Sequence, residues 1–478
     1  GLGVWDSISI LLVVWAALVL YRVTDRAGAQ EALRRGLAAF SRNDLFLVLG
    51  FGWVFASFLQ GITGFGTPVA VVAPLLVALG VKPVYAVVVP LIGHAWANLF
   101  GTLGVAWLGT LQVVDLDDQA ATAVATATLL LIPVATSGVA IAWMYGRMAG
   151  VRLALPMIAI VAVVHGGGQL LLSRWDPLLA AFVPATLALL ALYPLSRWSR
   201  YAEPAELDDH RMMAAERHSE DEVEPEPVMG TGMAMMPYVV LTVVALGTLV
   251  LPPVRDLLEE VELTPQFASV ETEFGIITDG DEDPAGLTPL THPALFLGAG
   301  ALVAGMVYRR KGYYERWAQR TGARGSLVSE VSGDAADASV AIVSFLALSS
   351  VMSVSGQTDT LAQGVATVAP AGVYALLAAW IGLLGSFMTT SNTSSNVLFS
   401  RLQSSVAEAQ GLSQSAIIAG QHAGGAVGNS IAPANVVLGT GTAGISGQEG
   451  QVLRRVLPWT LSVTALVGLG TLGLELLG

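Results

Sequence analysis

The chain is short of charge and contains no cysteine, and both shortages narrow its class. Only 12% of its 478 residues are charged, and cysteine is absent altogether. A soluble domain carries about 25% charged residues, whereas this chain is 54% apolar. The composition therefore predicts a polytopic membrane protein. The absence of cysteine excludes disulfide bonds, thiolate metal ligands and a cysteine nucleophile.

The motifs of the common enzyme classes are also missing. The sequence has no His-Glu zinc motif, no nucleotide-binding glycine loop and no Gly-x-Ser-x-Gly elbow. With a net charge of −13 and no basic domain, the chain is not expected to bind nucleic acid. We therefore predict that it is not an enzyme and that it uses no metal or other cofactor.

What the chain has in abundance is apolar segments of membrane length. A transmembrane helix needs about 20 mostly apolar residues, and about 12–14 segments meet or approach that length. Arginine-rich loops lie on the cytoplasmic side of a membrane, which predicts external termini and a multi-pass protein of the plasma membrane. The predicted organisation is a first membrane half, 1–198 with a repeat core at 43–108; an acidic cytoplasmic linker, 199–236; and a second half, 237–478 with a repeat core at 369–442. The second half also carries an acidic external loop, 254–291, and a basic cytoplasmic loop, 309–336.

Two polar stretches inside these apolar halves match at a single offset. Gly80, Gly93 and Asn98 correspond to residues 331 positions later, namely Gly411, Gly424 and Asn429 (411 minus 80). The predicted number of spans between the copies is odd, so the copies should have opposite orientations, as in an inverted-topology repeat. Broken, polar backbone in corresponding positions of two halves is the best sequence indicator of a transporter's substrate site. Residues 62–80 and 393–410 could each be a re-entrant hairpin or a full span.

The residue types in both stretches suit a carboxylate. Glycine lets a ligand approach the backbone closely, and the N–H groups at a helix N-terminus bind anions. Histidine inside a membrane is functional by default, and here it could hold a carboxylate or carry a proton. The candidate substrate-binding residues are Thr63, Gly64, Phe65, Gly66, Thr67, His94, Asn98, Ser391, Asn392, Thr393, Ser394, Ser395, Asn396, His422 and Asn429. Arg401 and Glu408 lie on one helix face, which favours a helix-stabilising or interhelical pair; attraction of the anion by Arg401 is the alternative.

Both stretches resemble the signatures of a known family. Residues 58–70, Phe-Leu-Gln-Gly-Ile-Thr-Gly-Phe-Gly-Thr-Pro-Val-Ala, and the following residues 79–86 resemble the first signature of the L-lactate permease family. Residues 385–403 and 424–433 resemble its second signature. The resemblance implies secondary transport of lactate, glycolate or similar 2-hydroxy monocarboxylates, usually with a proton. It also suggests an all-α, elevator-type transporter built from two inverted repeats.

The resemblance includes two departures that bear on coupling. Gln60 stands where the family usually has Glu, and Asn392 where it usually has Asp, so two obvious proton carriers are missing. The candidates for binding the coupling ion are therefore Gln60, His94, Asn392 and His422. Amide oxygens suit a hard cation such as sodium, whereas the histidines would suit a proton.

The sequence thus predicts a symporter of a small 2-hydroxy monocarboxylate, driven by protons or sodium, in the lipid bilayer. A sodium-coupled or uncoupled organic-anion carrier is the alternative of the same class, and an anion channel is the alternative of another class. A homodimer is compatible with the sequence.

Overall fold

A computed structural model describes residues 2–38, 41–64, 66–204, 212–214, 227–249, 251–265, 270–271, 277–278, 287–322 and 326–477. Its regular structure is almost wholly helical, which confirms the predicted all-α class. The helices of the first part are α1 Leu2–Asp25, α2 Ala29–Ala38, α3 Asp44–Leu49, α4 Ala56–Ile62, α5 Thr67–Ala78, α6 Pro83–His94, α7 Gly101–Leu111, α8 Gln119–Val161, α9 Gly168–Ser173, α10 Phe182–Arg197 and α11 Ser199–Ala202. Those of the second part are α12 Thr231–Leu249, α13 Pro252–Glu259, α14 Pro293–Arg310, α15 Tyr313–Thr321, α16 Leu327–Val354, α17 Gln357–Val368, α18 Ala371–Thr389, α19 Asn392–Gln410, α20 Gln414–Gly428, α21 Pro433–Thr442 and α22 Glu449–Leu477. Two-residue strands, β1 Val270–Glu271 and β2 Ile277–Thr278, pair antiparallel in the predicted external loop.

The chain divides into two compact units, each built from two separate segments. The first unit is Gly1–Ala38 with Glu224–Gln357, and the second is Ala39–Val223 with Thr358–Gly478. In the first unit α1 packs against α14 and α16, and α12 packs against α14 and α2. The second unit contains both repeat cores. The predicted division into two sequence halves describes the repeat rather than these units, and it stays a prediction.

Several apolar segments are broken where the backbone leaves helical geometry. Within α8, Gly146 and Arg147 are non-helical, so this long element is two helices joined at that point. At the start of α7, Thr102, Leu103 and Gly104 have left-handed backbone, and α6 with its 3₁₀ extension is bent by 54° from α7. Two π-helical turns, Gly50–Phe55 and Ala162–Gly167, interrupt the helices around them.

Only some of the described helices are long and apolar enough to cross a membrane alone. Among the described residues, five helices are long and apolar enough, and the bent pair of α6 and α7 makes a sixth. Shorter apolar helical stretches lie at Thr67–Ala78, Phe182–Arg197, Thr231–Ala245 and Ile342–Val354. Some of the 12–14 predicted segments are broken or shorter than a crossing. For example, α5 has 12 residues and is roughly 18 Å long, whereas the hydrocarbon core is ~30 Å thick.

The two repeat cores have the same order of elements. In each, a helix leads to a polar break, a second helix, a glycine turn, a third helix and a 3₁₀ turn. In the first core these elements are 44–62, the break at 63–66, α5, Gly80, α6 and Ala95–Ala97. In the second they are α18, the break at 390–391, α19, Gly411, α20 and Asn429–Ile431. The correspondence drawn from the 331-residue offset therefore extends to local structure.

Candidate functional site

The first polar break ends one helix and begins the next by means of backbone conformation. The Thr63 hydroxyl donates to the Leu59 carbonyl at 3.0 Å, which closes the last turn of α4. Gly64 and Gly66 then take left-handed backbone, with φ of 55° and 79°. Gly66 is the N-cap of α5, and Pro68 follows in its first turn, where a missing N–H costs nothing. Phe65 lies outside the described residues.

The second polar break begins its helix by means of side chains. Thr390 has left-handed backbone, and the Thr389 hydroxyl lies 2.8 Å from the carbonyl oxygens of both Gly385 and Ser391. Ser391 is the N-cap of α19, and its hydroxyl accepts a hydrogen bond from the Ser394 amide at 3.3 Å. Helix geometry leaves the amides of Asn392 and Thr393 without an acceptor inside α19, so they are available to a ligand.

The two breaks meet at one small cavity of about 60 Å³. Seven of the predicted residues line it, namely Gln60, Gly66, Asn98, Ser391, Asn392, Thr393 and Asn429. Thr102, Val105, Thr390 and Asn435 complete the lining. Residues from both repeat copies therefore surround a single space, as expected of a substrate site built at a repeat interface.

An amide network crosses this cavity from one copy to the other. Asn98 donates from Nδ2 to the Ala426 carbonyl at 3.2 Å, so its Oδ1 is turned towards Asn392. Asn392 donates from Nδ2 to that oxygen at 2.6 Å. The orientation of both amides is thus fixed by the backbone acceptor at one end. It leaves Asn392 Oδ1 buried, with no hydrogen-bond partner among the described residues.

A second amide pair lies beside the first. Asn435 Nδ2 lies 3.2 Å from both the carbonyl and the side-chain oxygen of Asn429. Asn435 sits in the first turn of α21, which begins at Pro433. A Cβ on Gly66 would lie 3.2 Å from Asn435 Oδ1 and 2.6 Å from Leu438 Cδ2. The glycine therefore keeps open the approach from α5 to this pair.

The other polar residues of the second motif pack behind the cavity. Ser395 donates to the Gly382 carbonyl at 3.1 Å, and Asn396 donates to the Ala106 carbonyl at 3.4 Å. Gln421 donates to Ser395 Oγ at 3.2 Å. These contacts hold α19 against α18, α7 and α20. Thr63, Gly64, Thr67 and Ser394 are also buried or adjacent to the breaks, but they do not line the cavity.

The histidines of the two copies have different surroundings, and neither lines the cavity. His94 Nδ1 lies 2.5 Å from the Pro90 carbonyl oxygen, so Nδ1 carries the donated proton. Its Nε2 is buried and has no hydrogen-bond partner among the described residues. His422 instead contacts two hydroxyls, with Nε2 2.7 Å from Thr110 Oγ1 and Nδ1 3.2 Å from Thr126 Oγ1.

The hydrogen bonds around His422 also fix its tautomer. Thr126 donates its own proton to the Thr122 carbonyl at 2.8 Å, so it must accept from His422 Nδ1. Nε2 then accepts from the Thr110 hydroxyl. A neutral imidazole with the proton on Nδ1 satisfies every polar atom in this group. Adding a second proton would require the Thr110 hydroxyl to turn away.

The lining of the cavity carries no formal charge among the described residues. Arg401, the nearest candidate cation in the sequence, is exposed and lies 3.5 Å from the Val113 carbonyl, and it is not a lining residue. In the described part of the chain, no group of three or more His, Cys, Asp or Glu residues could hold a metal ion. The site can therefore bind an anion only through helix N-termini, hydroxyls and amides.

Four lining residues fall outside the predicted set. Thr102 reaches the cavity because the start of α7 takes left-handed backbone, which no local sequence signal announces. Thr390 flanks the predicted residue Ser391, and Val105 lies within the predicted repeat core 43–108 but next to no predicted residue. Asn435 did carry a signal, since an amide two residues after Pro433 is expected near a helix start, and it lies just beyond residues 424–433 of the family resemblance.

The chain is similar to known permeases over nearly its whole length. The chain is 27% identical to the L-lactate permease of Halalkalibacterium halodurans over 487 residues, covering 99% of this chain and 86% of that protein. It is 26% identical to the glycolate permease GlcA of Escherichia coli, covering 98% of this chain and 84% of that protein. Among solved structures it is similar to the Alcanivorax borkumensis YdaH transporter, with a TM-score of 0.43, 15% identity and coverage of 96% and 84%. The Neisseria gonorrhoeae MtrF structure gives a TM-score of 0.45, 14% identity and coverage of 96% and 80%.

A family model decides the assignment. The model of the L-lactate permease family matches residues 2–282 and 319–477, which include both polar breaks. This match confirms the resemblance drawn from the two signatures, and it makes the chain a multi-pass membrane transporter rather than an enzyme. The chain belongs to the L-lactate permease family.

Proposed function

We propose that the protein is a symporter of small 2-hydroxy monocarboxylates such as L-lactate or glycolate, and that the substrate binds in the cavity between the two polar breaks. The observation that carries this proposal is the meeting of two helix N-termini and two asparagine pairs around one space. The relatives at full length are lactate and glycolate permeases, which supports the same substrate class.

The size of the cavity suits a small acid. Its volume of about 60 Å³ holds roughly four to six water-sized groups, since one such group needs about 10–15 Å³. Glycolate and lactate are of that size, whereas a citrate or an aromatic acid is larger. The site should therefore discriminate strongly against larger acids. It should discriminate only weakly between small acids that differ by one or two carbon atoms.

The donors around the cavity suit a carboxylate with a neighbouring hydroxyl. Asn392 and Thr393, in the first turn of α19, line the space, and Gly66 at the start of α5 lines it from the other copy. Partial positive charge at each helix N-terminus favours an anion. The asparagine pairs offer both a donor and an acceptor to the substrate hydroxyl, and neutral amides do this without competing for the carboxylate.

Charge balance supports symport. An anion placed in a buried site without a compensating charge is costly, and the lining described above is neutral. A cation that binds with the substrate would remove this cost. Asn392 Oδ1 is a buried oxygen without a hydrogen-bond partner among the described residues, and Gln60 is a second amide that lines the cavity. Such neutral oxygens suit sodium better than a proton, while the family resemblance favours a proton.

We also propose that the two repeats are inverted and that transport follows an elevator mechanism. In support, both polar breaks lie in the same compact unit, so the complete site can move with it. The orientation can be tested directly because the chain contains no cysteine. Lys82 and Ser413, one beside each glycine turn, are exposed. Lys82→Cys and Ser413→Cys should react with an impermeant thiol reagent from opposite sides of the membrane, and labelling of both from one side would refute the inversion.

Uptake in proteoliposomes tests the function. The purified protein is reconstituted, and uptake of labelled L-lactate and glycolate is measured with a proton gradient, a sodium gradient or neither. Symport predicts accumulation driven by one gradient, saturation and counterflow. Saturable uptake that neither gradient drives would indicate the uncoupled carrier, and flux without saturation or counterflow would indicate the channel. Absence of uptake of either acid would contradict the substrate class.

A further inference from the structure

The first compact unit contains a groove that the transport proposal does not use. It has a volume of about 910 Å³, within the range of about 300–1,000 Å³ typical of ligand sites. Its walls come from α1, α14 and α15, with a contribution from Leu327 at the start of α16. Most of the lining is apolar, including Val19, Val23, Leu302 and Met306.

Small residues on one face of α14 open this groove. Gly298, Ala301 and Gly305 are spaced so that they share a helix face. A Cβ at Gly298 would meet nothing within 4 Å, and one at Gly305 would only touch Val23 and Tyr314 at 3.9–4.0 Å. The free space is therefore a property of the backbone path and of these glycines, not of one side-chain rotamer.

Charge is confined to one end of the groove. Arg26 follows the C-terminus of α1, and Arg309 lies in the last turn of α14. Both line the groove, and Glu315 is the one carboxylate that lines it with them. From Gly298 to Arg309 the groove runs along α14 for roughly 17 Å at ~1.5 Å per residue. That length is about half of the ~30 Å hydrocarbon core, which corresponds to one lipid leaflet.

The helix that closes this end has the composition of a membrane-interface segment. α15 carries Tyr313, Tyr314 and Trp317 together with arginines, and aromatic residues of this kind are enriched at the level of lipid headgroups. The Tyr314 hydroxyl donates to the Val23 carbonyl at 3.2 Å, which fixes α15 to α1. The Arg316 guanidinium lies over the Tyr313 ring at 4.6 Å from its centroid. This helix therefore marks where the apolar part of the groove ends.

We propose that the groove is a binding site for an anionic phospholipid. One acyl chain lies along Gly298, Ala301 and Gly305, and the phosphate is bound by Arg26 and Arg309. A compact metabolite would leave most of the apolar wall uncovered. An amphiphile with one charged end and one leaflet-length tail matches both the charge and the length. Two arginines against one glutamate favour a singly charged headgroup.

The test is lipid retention by the full-length protein in detergent, measured by native mass spectrometry. Phosphatidylglycerol and phosphatidylcholine with identical acyl chains are offered in equal amounts. We expect selective retention of phosphatidylglycerol by the unmodified protein. In R26Q/R309Q its affinity should fall by roughly thirtyfold, the contribution expected of two arginines near a membrane surface, with phosphatidylcholine retention unchanged.

A second variant tests the apolar part of the groove. Gly298→Leu should fill the space and reduce retention of both lipids, whereas Gly333→Leu is the control, because a Cβ there also meets nothing within 4 Å but Gly333 lies outside the groove. If Gly298→Leu fails to fold, R26Q/R309Q still decides the question, since it leaves the apolar wall intact.

Four outcomes would overturn the proposal. The first is equal retention of both lipids by the unmodified protein, and the second is an unchanged lipid preference in R26Q/R309Q. The third is displacement of the lipid by millimolar inorganic phosphate, which would indicate a site for a free anion. The fourth is a dimer that Gly298→Leu dissociates without loss of lipid, which would show that a second copy of the chain covers the groove.

Discussion

The two copies of the repeat use glycine alike but begin their site helices differently. Gly80 and Gly411 both take left-handed backbone at the turn between two helices. A Cβ on Gly93 would overlap the Gly52 carbonyl oxygen, and one on Gly424 would overlap that of Ala379, so both glycines allow a helix to touch the helix preceding the break. The packing skeleton is therefore common to both copies.

The difference lies at the breaks themselves. The first copy begins the 12-residue α5 with Gly66, whose N-cap position has no side chain. The second begins the 19-residue α19 with Ser391, whose hydroxyl caps the helix. At the break itself, the first copy thus begins its helix with bare backbone, and the second begins its helix with a capping side chain. Substitutions should accordingly act through shape and conformation in the first copy and through lost hydrogen bonds in the second.

The largest effect is expected from Gly66→Leu. The position has φ of 79°, which a non-glycine residue adopts only at a cost, and its Cβ would lie 2.6 Å from Leu438 Cδ2. Uptake should fall by about a hundredfold or more, since strain and blockage together amount to roughly 3 kcal/mol. Uptake and membrane insertion are measured on the same samples.

Gly444→Leu is the matched control for backbone strain. Gly444 has φ of 72° and open space around its Cβ position. If both leucine variants lose transport equally, strain alone is responsible. Normal uptake by Gly66→Leu would remove this residue from the site.

Gly93→Ala and Gly424→Ala should lower thermal stability by similar amounts. Each methyl group would press on a backbone carbonyl oxygen, which cannot move as a side chain can, and overpacking of this kind costs roughly 1–3 kcal/mol. Gly411→Ala is the contrasting variant, because a Cβ there meets nothing within 4 Å and only the left-handed backbone opposes it. Unfolding temperatures in detergent that fell for Gly93→Ala alone would show that the two copies do not share one packing skeleton.

A smaller loss of uptake is expected from Asn392→Ala. Removing its amide leaves the Asn98 oxygen buried without a donor and removes a lining group, a loss of roughly 1–3 kcal/mol. Uptake at low substrate concentration should fall by about tenfold, through KM more than through the maximal rate. Asn396→Ala provides the control from the same helix, since Asn396 bonds to the Ala106 carbonyl but does not line the cavity. Its KM should be unchanged even if the protein is less stable.

Asn392→Asp tests the orientation of the Asn98 and Asn392 amides. The Asn98 amide turns its oxygen towards residue 392, so an aspartate there can complete the network only when protonated. Uptake by this variant should decrease as the pH rises, and it should decrease more steeply than uptake by the unmodified protein. An aspartate variant with a flat pH profile would mean that the amide orientation is different from that described.

The sequence predicted the features that repeat and missed those that depend on packing between the copies. Gly80, Gly93 and Asn98 could be paired with their counterparts because one offset aligns all three, and the structure brings Asn98 and Asn429 to the same cavity. The contact of Asn98 with Asn392 could not be foreseen, because these residues belong to different positions of the repeat. The packing of α19 on α7 brings these two residues together.

Local breaks were the other limit of prediction. Thr102 reaches the cavity through three successive residues with left-handed backbone, two of which are not glycine. Tertiary packing imposes such a conformation, and no propensity indicates it. The Thr110 and Thr126 partners of His422 come from α7 and α8 and are likewise invisible in the sequence around the histidine.

The smallest effect on uptake is expected from substitution of the histidines. It tests whether a histidine of either repeat copy carries the coupled proton. His422 is satisfied as a neutral imidazole by Thr110 and Thr126, and His94 donates to the Pro90 carbonyl, so neither needs to change protonation during transport. The unperturbed pKa of histidine is ~6.5. We therefore expect His94→Gln and His422→Gln each to lower uptake by less than about threefold and to leave the pH profile of uptake between about pH 5.5 and 7.5 unchanged.

The measurement is uptake of labelled lactate by both variants across that pH range. Glutamine keeps a donor and an acceptor at each position, so folding should be retained. Flattening of a pH response in His94→Gln alone would identify the unpaired Nε2 as the proton carrier and place coupling in the first copy; flattening in His422→Gln alone would place it in the second.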